Sequence, residues 1–330
     1  MATEPSDQAS ATAIASARST PDGGRLAAGA GTWRAFIPGL DVPVATSIDL
    51  VHRLFESPHV RTLDLSNNYG LGESERRAGL AIREYGGVPD GFLVQTKADR
   101  DSETGEFSGR RMRQSLEESL ERLGLDRFPM LYLHDPENVA WDEAMADDGP
   151  VAALVEARDA GLIGVLGVAG GPVGLMRRYL ETGLFSALVT HNRYTLVDRS
   201  ADELLTFAAS LGVHVSNASP YGGGLLTVWP PRTDRYAYGE APASIVAAAG
   251  EAARLCAEHD VPLAAAALHF SVDDPRIDRT IVGMRTPEDH DATVELLDIE
   301  VPASLTSALR ALPLDPSGWQ EAVATYAHPR

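Results

Sequence analysis

The chain carries one cysteine in 330 residues, Cys256, so an internal disulfide is excluded and with it the stapled scaffold of a small secreted domain. The thiol sits in the helical-looking EAARLCAEHD and reads as buried and inert. Basic charge is also scarce. Lys and Arg total 28 against 47 Asp and Glu, a formal charge of -19, which repels a phosphate backbone or an anionic lipid surface. Nucleic acid and membrane are therefore not expected partners. No apolar run approaches the roughly 18 residues of a spanning helix. The opening residues, MATEPSDQASATAIASARSTPDGG, combine neither a basic start nor an unbroken apolar stretch, and read as neither signal peptide nor anchor. Residues 1–25 are expected to form a flexible tail, and the protein is expected in the cytoplasm.

Catalytic signatures are missing too. There is no G-x-S-x-G nucleophile motif and no H-x-H pair. Gly29-Ala30-Gly31 is an isolated G-x-G with no third glycine opening a helix, which argues against an open dinucleotide-binding sheet.

What is present is an alternation. With 44% hydrophobic residues the chain can bury a sizeable core. Short β-favouring runs, LAAGAGTW, VRTLDLS, GFLVQTK, PMLYLHD, IGVLGVA, ALVTHN, VHVSNAS and RTIVGM, are separated by amphipathic helical stretches. Ser200 precedes one helix, ADELL, as a candidate cap, and Gly212 follows it. Eight strands and eight helical segments at about 30 residues per unit predict a single (β/α)8 barrel over residues 26–330.

In such a barrel the strand ends and the loops after them form the reactive face. Asp64, Lys97 and His134 end three consecutive strands, and Tyr69 follows Asp64 in the loop SNNYG. The four types suit proton transfer. An ammonium next to a phenol favours the phenolate and lowers its proton affinity, a carboxylate holds the ammonium in place, and an imidazole orients a substrate oxygen. Each residue alone has a bland reading: Lys97 snorkelling to the surface, Asp64 capping its loop, His134 starting a turn, Tyr69 packing on the rim. A metal site built from His134, His191, Asp64 and His214 is the rival, but Lys97 would then sit among cations.

The segments DLSNNYG, QTK and LHD resemble the corresponding segments of the aldo-keto reductase superfamily, as do GESERRAG, GLIGVLGVAG and SPYGGGLL; the likeness runs from about residue 26 to 300. HNRYTLVDRSADELL and the HDPE that follows the fourth strand look most like the branch of the aldose 1-dehydrogenases, such as fucose and galactose dehydrogenases, and pyridoxal dehydrogenase. The resemblance implies an NAD or NADP cofactor extended across the barrel mouth, no metal, and a carbonyl compound or sugar as substrate. Tyr69 would be the acid/base, with Lys97, Asp64 and His134 as its partners. Thr32, Asp64, Asn192, Ser219, Pro220, Tyr221, Gly222, Gly224, Gly283, Met284, Arg285 and Asp289 would contact the cofactor. Trp33, Tyr69, His134 and Trp141 would contact the substrate.

The chain also departs from that pattern. Ala169-Gly170 replaces the Ser-Asn that usually holds the carboxamide, and Ala218 stands where an aromatic ring often stacks. Asp289 near the ribose favours a 2′-hydroxyl and hence NAD, while Arg285 pulls toward NADP. The altered carboxamide site keeps a second reading in view, a cofactor-binding sensor or regulatory protein with little turnover. Trp229, in the long loop LTVWPPRTDRYAYGEAP, is expected either to wall the substrate site or to pack over the barrel.

Overall fold

The computed structural model describes residues 24–31, 33 and 41–323. Most of the expected tail and Thr32 lie outside them. In chain order the strands are β1 (Leu26–Gly29), β2 (Val60–Asp64), β3 (Leu93–Ala98), β4 (Phe128–His134), β5 (Ile163–Ala169), β6 (Ala187–His191), β7 (His214–Ala218), the hairpin pair β8 (Arg235–Tyr236) and β9 (Gly239–Glu240), and β10 (Arg279–Gly283). All but the hairpin run parallel and close in the order β1-β10-β7-β6-β5-β4-β3-β2. Gly29 pairs with Gly283 on one side and Asp64 on the other, which completes the ring.

Each strand of a barrel points alternate side chains inward and outward. The outward set, among them Leu63, Leu131, Leu133, Leu166 and Leu188, packs under the helices in the main core. The inward set fills the lumen with a small cluster that includes Ala27, Met130, Tyr132, Val165 and Ile281. Following the same parity one step further along each strand leads to Asp64, Lys97, His134, Ala169, His191 and Ala218, so the alternation itself gathers the polar strand ends on top of the lumen.

The surrounding helices follow the predicted segments. Helix Gly109–Leu123 starts where Ser108 accepts the Arg111 amide at 3.2 Å and ends at Gly124 with φ 68°. Helix Pro287–Leu297 starts at Thr286, whose hydroxyl accepts from the Asp289 amide. Three expectations are corrected. The first strand ends at Gly29 rather than Trp33, because the chain turns there, with the Trp33 amide bonding back to the Ala30 carbonyl. Ser200 does not cap its helix: its hydroxyl goes to Asp198 at 2.7 Å, and Ala201 stands at the cap without a side-chain bond. The strict alternation gains extra pieces, the β8–β9 hairpin and helix Ala303–Arg310. Cys256 is buried, and burial pushes its thiol up to about 11. Among the described residues no helix is long and apolar enough to cross a membrane.

Candidate active site

Lys97 is the single lysine of the chain; every other basic side chain among the 28 is arginine. It is buried at the end of β3, and its ammonium has three donors. All three are taken: Asp64 Oδ2 at 2.7 Å, the Leu65 carbonyl at 2.7 Å and the Tyr69 hydroxyl at 3.2 Å. Gln95 donates to the other Asp64 oxygen at 2.7 Å. Tyr69 therefore receives a hydrogen bond from Lys97 and keeps its own proton for the cleft.

The loop carrying Tyr69 is pinned rather than merely turned. The Asn67 amide donates to the Lys97 carbonyl, and the Asn67 side chain bonds helix Gly109–Leu123 at the Ser115 carbonyl and Ser119. Arg111 donates to Asn67 Oδ1 at 2.9 Å, and Asn68 bonds the Arg100 carbonyl. Such ties hold a loop side chain to the precision that proton transfer requires.

His134 stands across the cleft, its ring 5.8 Å from the Tyr69 ring at 81°. Nδ1 lies 2.6 Å from Asp99 Oδ2, a partner that sequence reasoning missed. Burial alone would discharge the imidazole, but Asp135 and Asp99 outweigh it and push it up to about 9. The reverse holds at His191, expected only as a ligand of the rival metal site, which burial, Arg193, His134 and Lys97 push down to about 3 and thus keep neutral. Its ring meets Tyr238, at the tip of the hairpin, at 5.7 Å.

The expected softening of Tyr69 by Lys97 does not occur here. Burial, then Asp64, Asp135 and Asp99, hold the phenol well above its ordinary range. The Lys97 ammonium is paired with Asp64, and the charges of three nearby carboxylates oppose a phenolate.

Together these groups line a cleft of about 410 Å³ at the mouth of the barrel. Its lining includes six residues with little or no side chain: Gly29, Gly31, Ala169, Gly170, Ala218 and Gly283. A second chamber of about 460 Å³ shares Asp135, His191 and Tyr238 with the first and adds Glu137, Glu240 and Gln320. Among the described residues no group of three His, Cys, Asp or Glu is placed to hold a metal ion.

The aldo/keto reductase family model matches residues 28–312, nearly the whole barrel. The chain belongs to that family. It is 31% identical to a D-threo-aldose 1-dehydrogenase of a Pseudomonas species over 78% of this chain and 85% of that protein. It is 27% identical to pyridoxal 4-dehydrogenase of Microbacterium luteolum over 85% of this chain and 92% of the relative. An aldo-keto reductase from Bacillus halodurans, solved in its holo form, superposes with a TM-score of 0.71 at 18% identity, covering 90% of this chain and 94% of that one, a likeness of fold.

In this aldo/keto reductase the three strand-end residues and Tyr69 line one cleft, and Ser219 and Gly283 join them there. Other expected contacts sit elsewhere. Asn192 is buried just past β6 with φ 56°, and its amide turns to His191 Nδ1 at 3.3 Å; parity places His191, not Asn192, in the cleft. Trp33 is fully buried and donates its indole N–H to the Met284 carbonyl at 2.8 Å, so neither lines the cleft. Trp141 packs on Tyr179 and under the Arg178 guanidinium. Trp229 lies against Gly250, which answers for packing rather than a wall. Gly222 and Gly224 form a short turn with Gly222 directly against the buried Tyr236 ring, after Pro220 and a half-buried Tyr221. Arg285 and Asp289, expected to compete, are paired with each other at 3.3 Å.

Proposed function

We propose that this aldo/keto reductase is a nicotinamide-dependent dehydrogenase of unphosphorylated aldoses or similar polyhydroxyl compounds, with Tyr69 as the acid/base. The observation that carries the reading is the Tyr69 hydroxyl, held as acceptor by Lys97 at 3.2 Å with its proton left to the cleft beside His134.

A nicotinamide ring, when bound, supplies or accepts the hydride. The Gly and Ala part of the lining suits a flat ring, and a Cβ on Gly170 would stand 2.8 Å from Glu137 Oε2. Ala169, Gly170, Ala218 and Ser219 would hold the ring, and Gly29 and Gly283 would leave room beside it. Arg285 and Asp289 would stand at the adenosine end.

The chain's own residues then divide the proton work. Tyr69, with its high proton affinity, stays protonated across the neutral range and donates to the oxygen of a carbonyl being reduced. In oxidation Tyr69 must first release its own proton to water in the cleft, and the phenolate, a strong base for the same reason, then takes the hydroxyl proton. His134 offers an N–H to the same oxygen. Asp64 holds the Lys97 ammonium in place.

The substrate class rests on the second chamber and on the names of the relatives. Glu137, Glu240, Gln320 and Tyr238 offer many hydrogen-bonding groups to a hydroxylated chain. Asp135 and Glu240 outnumber Arg193, which is already paired with Glu321 at 3.1 Å, so a phosphate dianion is repelled. Steady-state kinetics with a panel of free aldoses and their phosphates tests this. Free sugars should exceed their phosphates in kcat/KM by about 100-fold or more, roughly 3 kcal/mol. Equal use of a sugar phosphate contradicts the assignment.

A further inference from the structure

We propose that Asp99 is a positioning residue for the reaction: together with Ser66 it fixes the protonation of His134 so that an N–H, rather than a lone pair, faces the substrate oxygen.

The geometry places a hydrogen on Nδ1. Ser66 donates its hydroxyl proton to Asp99 Oδ2, so on the side facing His134 the serine oxygen has lone pairs alone to offer. Asp99, a carboxylate, also offers lone pairs alone. Both lie within reach of His134 Nδ1, at 3.1 and 2.6 Å, so Nδ1 carries a hydrogen. Asp99 cannot turn away. It is 3% exposed, its amide N–H donates to Ser115 Oγ at 3.0 Å, and its carbonyl accepts from Arg111 Nε at 3.2 Å.

The remaining neighbours decide the other nitrogen. His134 Nε2 faces Asp135 Oδ1 at 3.5 Å on its own strand end. Lys97 on β3 opposes a charge on His134, and the neutral His191 on β6 adds none. Tyr69, in the loop after β2, stays protonated, and Glu137 is raised to about 7 by burial and Asp135. The two aspartates outweigh burial and Lys97, consistent with an imidazolium that persists to about pH 9. A second cation thereby stands across the cleft from Lys97, beside the oxygen on which negative charge develops.

This inference deepens the proposed function but is tested without turnover. Side-chain 15N NMR of the full-length unliganded protein, with His134 assigned from a His134→Asn variant, reports both ring nitrogens directly. The expected result is two protonated nitrogens at pH 7 and a titration near 9. In Asp99→Asn, where the amide oxygen still accepts Nδ1–H, the midpoint falls by about two pH units. A wild-type His134 that is neutral at pH 7, or an Asp99→Asn variant that titrates like wild type, overturns the proposal. If the wild-type protein shows the imidazolium but no hydride transfer with any carbonyl compound, the positioning role of Asp99 toward His134 stands and the proposed function fails. In kinetics, Asp99→Asn lowers kcat about tenfold or more at pH 8 and less at pH 6, whereas a merely structural role lowers both alike.

Discussion

Lys97 Nζ and Asp64 Oδ2 lie 2.7 Å apart with 2 and 4% of their side chains exposed, an ion pair sealed beneath the cleft. Removing one partner strands the other charge away from water. Lys97→Met is therefore expected to lower the unfolding free energy by about 3–5 kcal/mol, while Asp64→Leu with Lys97→Met recovers most of the loss. Urea denaturation of the single and double variants measures this; a single variant as stable as wild type would show that water reaches the pair.

Gly79 sits in helix Glu73–Tyr85, where alanine would ordinarily stabilise by about 0.5–1 kcal/mol. Here a Cβ would stand 1.9 Å from the Arg122 carbonyl oxygen of helix Gly109–Leu123. The clash is with backbone, so it wins: Gly79→Ala should destabilise by about 1–3 kcal/mol or more, seen as a lower Tm. The helix that carries Asn67's partners would shift, and KM should rise with it.

The legibility of the site follows strand parity. Asp64, Lys97 and His134 end strands whose apolar alternation could be read directly, and Tyr69 follows in a loop whose turn residues mark it. Lys97 also carried an unused signal, as the one lysine in a chain that otherwise uses arginine. Asp99 was missed because it lies one residue beyond β3, where nothing in TKAD tells a buried carboxylate from a solvated one. His191 was passed over for Asn192 because the end of β6 could not be located to one residue, and one residue reverses the direction of a side chain. Tyr238 sits on a hairpin formed by RYAYGE inside a long loop, held by the buried Tyr236, whose hydroxyl donates to the Asn192 carbonyl at 2.9 Å. That bond joins segments 44 residues apart, and no local pattern announces it. Trp33 and Trp141 were expected as substrate contacts from the resemblance, yet the turn after β1 buries Trp33 and Trp141 packs half-buried against Tyr179.

On the proposed reading, the Arg285–Asp289 pair would set the choice of cofactor. Arg285 bonds Asp289 through both its amide, at 2.9 Å, and its guanidinium, at 3.3 Å. With the guanidinium neutralised, wild type should bind NADH at least as tightly as NADPH. Asp289→Asn frees Arg285 for a 2′-phosphate and should shift the Kd ratio toward NADPH by about tenfold, roughly 1.4 kcal/mol. Fluorescence titration with each reduced cofactor measures both constants; an unchanged ratio removes Arg285 from the adenosine site.

Hydride transfer from a free aldose to a nicotinamide, followed in wild type and in Tyr69→Phe beside a titration of cofactor binding, tests the central claim most directly. The expected result is turnover in wild type, a loss of about 100-fold to 10,000-fold in kcat on removing the hydroxyl, and cofactor affinity unchanged within about twofold. A Tyr69→Phe protein that turns over like wild type would contradict the role given to Tyr69 and, with it, the chemistry assigned to the cleft.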